Sequence, residues 1–99
     1  MAEIEPAAAI PAGLTAYKRT PEFTQASVPA GLLREHCTKA GVWGLIRIVE
    51  GELVYRIADE RRAPREYRLT PAAQGIVEPG IVHRVAPDGP VRFFVEFFR

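Results

Sequence analysis

From Leu32 to the C-terminus, turn-forming residues cut the chain at intervals too short for any helix of useful length. The breaks fall at Lys39-Ala40-Gly41, Glu50-Gly51, Ala63-Pro64, Thr70-Pro71, Glu78-Pro79-Gly80 and Pro87-Asp88-Gly89-Pro90. Between them lie strand-like runs over residues 32–36, 42–50, 53–58, 66–69, 75–77, 82–86 and 91–98. Short strands at this spacing predict an all-β antiparallel sandwich or barrel. Two segments read as hairpins: residues 46–55 alternate about Glu50-Gly51, where the glycine supplies positive φ, and residues 81–95 flank Pro87-Asp88-Gly89-Pro90.

Upstream the signals differ. Residues 1–13 are rich in Ala and Pro, and Pro6 and Pro11 oppose a helix, so an extended N-terminal arm is expected there and one domain over 14–99. Thr20-Pro21-Glu22 carries a helix-start signal, but Pro29 limits that helix to one or two turns. A chain of 99 residues has room for a single core.

Charge narrows the function classes. Thirteen basic against twelve acidic residues leave +1, and the basic ones are dispersed, which predicts no nucleic-acid footprint. The tightest cluster, Arg61, Arg62 and Arg65, is interleaved with Asp59, Glu60 and Glu66 and reads as a solvated loop. Cys37 is the single cysteine, and no apolar run approaches the roughly 20 residues that cross a bilayer. Together with an acidic N-terminus, this predicts a cytoplasmic protein with no membrane partner.

The two histidines, His36 and His83, both sit at the ends of strand-like runs bordering turns. In the last run Phe93, Val95 and Phe97 form an apolar face, whereas Phe94, Glu96 and Phe98 place one carboxylate between two aromatics. Neutral imidazoles are good donors to zinc, iron or nickel, and a metal centre wants about three protein ligands. Glu96, Glu78, Cys37 and Thr38 are all available as the third donor. Each histidine also has an ordinary structural reading, and period-2 geometry beside His36 favours a buried, inert Cys37.

Leu33 to Leu45, followed by Val49-Glu50-Gly51-Glu52-Leu53, resembles the first motif of the cupin superfamily in its small TehB/YeaR-like branch, related to the N-terminal domain of tellurite-resistance proteins. Glu78-Pro79-Gly80-Ile81-Val82-His83-Arg84-Val85 resembles the second, and together the likeness covers residues 12–98. It implies a cupin-type β-barrel (double-stranded β-helix or jelly roll) with an internal metal site, and an association with tellurite or oxidative stress. The chain departs from the motif where Thr38 replaces the second histidine and where the usual glutamate falls near Trp43 or Gly44.

The expectation is therefore a cupin-type pocket in which His36, His83 and Glu96 hold a divalent zinc, iron or nickel ion beside a small-molecule ligand. Thr38, Lys39, Trp43 and Glu78 line this expected pocket, with Arg47 near its opening. A metal-free binding or sensing module is the alternative, as is an interaction domain whose last strand, Phe93 to Phe98, pairs with a second copy to give a homodimer. An immunoglobulin-like sandwich is the competing fold.

Overall fold

Two long strands organise the molecule. The computed structural model describes residues 9–99, so most of the arm expected at residues 1–13 lies outside the described residues. Strand β1 is Ala16–Arg19 and β2 is Phe23–Thr24; helix α1 is Ala30–Leu33; β3 is Trp43–Ile57, β4 Arg65–Leu69, β5 Gly75–Val77 and β6 His83–Phe98. Strands β3 and β6 run antiparallel along their full lengths, from Trp43 opposite Phe98 to Ile57 opposite His83. On the other edge of β3, β5 pairs with its first half and β4 with its second. Strands β1 and β2 add to β6.

The result is mostly β, as expected, but it is an open sheet with the path β1-β6-β3-β4 rather than a closed barrel. Closure needs the two end strands to meet through a ladder of hydrogen bonds. Here β1 pairs with β6 and β4 with β3, and the two do not pair with each other.

Neither expected hairpin forms. The chain passes through Glu50-Gly51-Glu52 as a bulge inside β3, with register shifts between Ile48 and Glu50 and between Gly51 and Leu53. Gly51 does adopt positive φ, +81°. It uses that freedom for close approach, since a Cβ there would stand 2.1 Å from the carbonyl oxygen of Pro90. The bulge shifts the side-chain phase, so that Gly44, Ile46 and Ile48 face inward before it and Leu53, Tyr55 and Ile57 after it. Likewise Asp88-Gly89-Pro90 is an excursion within β6 opposite that bulge.

The N-terminal third also differs from expectation. Thr20 does not start a helix; it extends pairing onto β6, its N–H donating to the Val95 carbonyl at 2.9 Å and its hydroxyl accepting from the Val95 N–H at 3.0 Å. The single helical turn among the described residues follows Pro29, whose φ of −62° suits a helix entry. Residues expected as a strand at 32–36 thus complete that turn and reach only one bridge, at His36.

The core gathers Ile46, Ile48, Leu53, Tyr55 and Ile57 of β3 against Val85, Val91, Phe93 and Val95 of β6, with Leu69, Val77 and Ile81 closing its ends. Over Arg92 to Phe98, with β1 and β2 on one side and β3 on the other, β6 is an interior strand. The edge pairing expected to join two copies through Phe93 to Phe98 is therefore already taken within one chain.

The Arg61-Arg62 cluster is not a free solvated loop. The buried carboxylate of Asp59 accepts from the Arg61 side chain at 2.8 Å, from the Arg61 N–H at 2.9 Å and from the Val82 N–H at 3.0 Å. The Arg61 guanidinium holds that carboxyl well below the usual carboxylate range, and also donates to the Gly80 carbonyl. Arg62 is bonded to Glu78 at 3.1 Å. These contacts clamp the segment that delivers His83 into β6.

Candidate functional site

His36 and His83 face each other across reciprocal backbone bonds. The His36 N–H donates to the His83 carbonyl at 2.9 Å and the His83 N–H to the His36 carbonyl at 2.8 Å. Their ring centroids are 4.2 Å apart at 60°. Each ring is oriented by its own backbone: His36 Nδ1 lies 2.8 Å from the Arg34 carbonyl and His83 Nδ1 2.9 Å from the Ile81 carbonyl. A carbonyl oxygen only accepts, so each Nδ1 carries the hydrogen and each Nε2 of a neutral ring is an acceptor.

His83 is 4% exposed. Burial, reinforced by the neighbouring His36, pushes its pKa down to about 4 against the opposing pull of the Ile81 carbonyl. It is neutral at pH 7.

Both imidazoles line a cavity of about 330 Å³, near the lower end of the range for small-molecule sites. Its inner wall is apolar, from Ile46, Val77, Val85, Phe93 and Val95. Thr38, Cys37, Lys39 and Lys18 approach it from exposed or half-buried positions, and no carboxylate lines it among the described residues.

Of the residues singled out from the sequence, His36, His83, Thr38 and Lys39 come together here, whereas Trp43, Glu78 and Glu96 do not. Glu96 lies on the face of β6 opposite His83 and is paired with Arg47, which removes Arg47 from the opening as well. Trp43 precedes the cavity-lining Gly44 and so projects to the other face of β3. Glu78 is held by Arg62. Cys37, expected to be buried, is exposed and lines the cavity, because the chain leaves extended geometry after the His36 bridge and period 2 no longer applies. Lys18 was not foreseen: every residue of β1 is exposed, so no alternation marks its cavity side.

The expected metal centre is corrected on these grounds. Among the described residues no three His, Cys, Asp or Glu side chains converge as a ligand set, and the intended third donor sits across the sheet. One consequence is testable at once. Glu96→Gln should change unfolding free energy in urea by less than about 1 kcal/mol, as for other partly exposed ion pairs, and leave ligand binding in the cavity unaltered. A large loss of binding would return Glu96 to the site.

A family model described as the TehB-like domain matches residues 18–95. The chain belongs to the TehB-like family. Within that family it is 32% identical over 74 residues to the probable S-adenosyl-L-methionine-dependent methyltransferase TehB of Haemophilus influenzae strain Rd, covering 73% of this chain and 26% of that protein. The TehB of strain 10810 matches at 31% identity with the same coverage. The TehB-like chain thus spans about a quarter of the length of the curated relatives it matches.

Solved structures agree. The crystal structure of TehB from H. influenzae superposes with a TM-score of 0.77 at 30% identity, covering 86% of this chain and 31% of that one. A crystal structure of an E. coli (strain K12) protein superposes with a TM-score of 0.78 at 23% identity, covering 92% of this chain and 95% of that one, and shares the fold.

These matches support the TehB-like half of the sequence resemblance and not the cupin half. The relatives are named for S-adenosyl-L-methionine and methyl transfer, which overturns the expected function of a metal-binding cupin pocket and the zinc, iron or nickel cofactor that went with it.

Proposed function

We propose that this TehB-like domain binds a small-molecule methyl acceptor for S-adenosyl-L-methionine-dependent methyl transfer in the cytoplasm. The observation that carries the reading is the cavity of about 330 Å³ with the buried, neutral His83 in its wall. Family membership supplies the reaction class, through relatives named as methyltransferases.

The domain takes the acceptor rather than the sulfonium donor. Adenosine-bearing cofactors are commonly held at the C-terminal edge of a parallel α/β sheet, over a glycine-rich turn that opens a helix. Every strand pairing among the described residues is antiparallel, and α1 is four residues long.

The test is an NMR titration of the His36 and His83 ring resonances with S-adenosyl-L-methionine and, separately, with thiols, phenols, selenite and tellurite. The last two are included because of the resemblance to tellurite-resistance proteins. At least one acceptor class is expected to shift both rings, with S-adenosyl-L-methionine leaving them in place. Shifts from S-adenosyl-L-methionine alone would refute the assignment.

A further inference from the structure

The cavity has two chemically different ends, and the difference specifies a ligand. At the buried end, the Nδ1 of His83 is committed to the Ile81 carbonyl, and the Nε2 of the neutral ring is left as an acceptor. The buried side chains of Val85, Phe93 and Val95 also line the cavity and want an apolar body. At the exposed end stand Lys18 and Lys39, neither of which has a carboxylate partner among the described residues.

We propose that the cavity is specific for an organic hydroxy acid, bound with its hydroxyl donating to His83 Nε2 and its anionic group beneath Lys18 and Lys39. This deepens, and rests on, the reading of the cavity as an acceptor pocket. An anion placed at the inner end would face an acceptor nitrogen and apolar walls without a donor, losing its hydration for nothing in return. An inorganic oxyanion held at the mouth would leave that wall and that acceptor unfilled. An amphipathic monoanion with a terminal hydroxyl satisfies all three regions, and the positive mouth attracts its charged end.

Titration calorimetry on the full chain separates the contributions, using para-hydroxybenzoate, benzoate, para-hydroxybenzyl alcohol and selenite, with ω-hydroxyhexanoate and hexanoate as an aliphatic pair. The hydroxy acid of at least one pair should bind about tenfold more tightly than its partner lacking the hydroxyl, the usual scale for a buried acceptor left unpaired. Removing the charge, as in the benzyl alcohol, should cost a few-fold. His83→Phe should abolish the hydroxyl preference alone, and Lys18→Met with Lys39→Met the charge preference alone. The ligand series on the unaltered protein decides the matter even if a variant misfolds.

Equal binding with and without the hydroxyl in both pairs overturns the inference. So does selenite binding most tightly, although that result leaves the acceptor reading standing. Occupation of the cavity by S-adenosyl-L-methionine alone, with no hydroxy acid bound, removes both.

Discussion

Gly51→Val should cost more than about 3 kcal/mol of folding free energy, a large part of the margin of a domain this size, because two penalties coincide at that position. The first is conformational: φ at residue 51 is +81°, where a β-branched side chain is strongly disfavoured. The second is steric. A Cβ would stand 2.1 Å from the Pro90 carbonyl oxygen and 2.9 Å from the Val91 Cα, both backbone atoms of β6 that cannot rotate aside. Gly89 supplies the control, since its φ is +87° but an added Cβ would meet nothing within 4 Å. Gly89→Val should therefore show the conformational penalty alone. Urea unfolding of the two variants measures the difference; equal losses would mean that the bulge of β3 does not press against β6 as described.

Acidification should destabilise the protein by about 3 kcal/mol between pH 6.5 and about 4 through His83 alone, since each tenfold change in proton affinity between the folded and unfolded chain corresponds to about 1.4 kcal/mol. The sign follows from proton uptake. Unfolded, His83 titrates near 6.5; folded, near 4, because burial disfavours the imidazolium. Over that window the unfolded chain binds a proton that the folded chain refuses, so stability falls as pH falls and is insensitive to this group above the window. Asp59 acts lower. Its folded pKa is depressed from 3.8 by Arg61, so its contribution is present above that value and is lost only in stronger acid. Urea midpoints at pH 7 and pH 4.5 should thus move apart in the native protein and draw together in His83→Gln. Parallel shifts in both proteins would show that His83 is not buried in the neutral form.

Much of the local structure was legible in the residues. Turn chemistry marked the ends of β4 and β5, and alternation correctly sent Phe93 and Val95 to the core and Phe94 and Glu96 to the opposite face. Alternation could not relate Glu96 to His83, because the expected hairpin put them on separate strands; their union in one long β6 sets them on opposite faces and removes the carboxylate from the metal reading. The likeness to TehB-like sequences was visible in the stretches around His36 and His83, which the fold brings within 4.2 Å.

By itself, then, the sequence determined where most strand segments beyond residue 42 lie, the apolar face of the last one and the TehB-like resemblance, because these depend on side-chain period, turn propensity and motif, all of which are local. Tertiary structure decided the rest. Whether Glu50-Gly51 and Asp88-Gly89 reverse the chain or only bend it depends on which strand lies alongside; here β3 and β6 satisfy each other through both bends, and Gly51 spends its freedom on contact with Pro90. Whether the sheet closes depends on the end strands meeting, and whether Lys18 and Cys37 face the cavity depends on how exposed, irregular backbone docks. Partner choice is a long-range property, and no window of a few residues contains it.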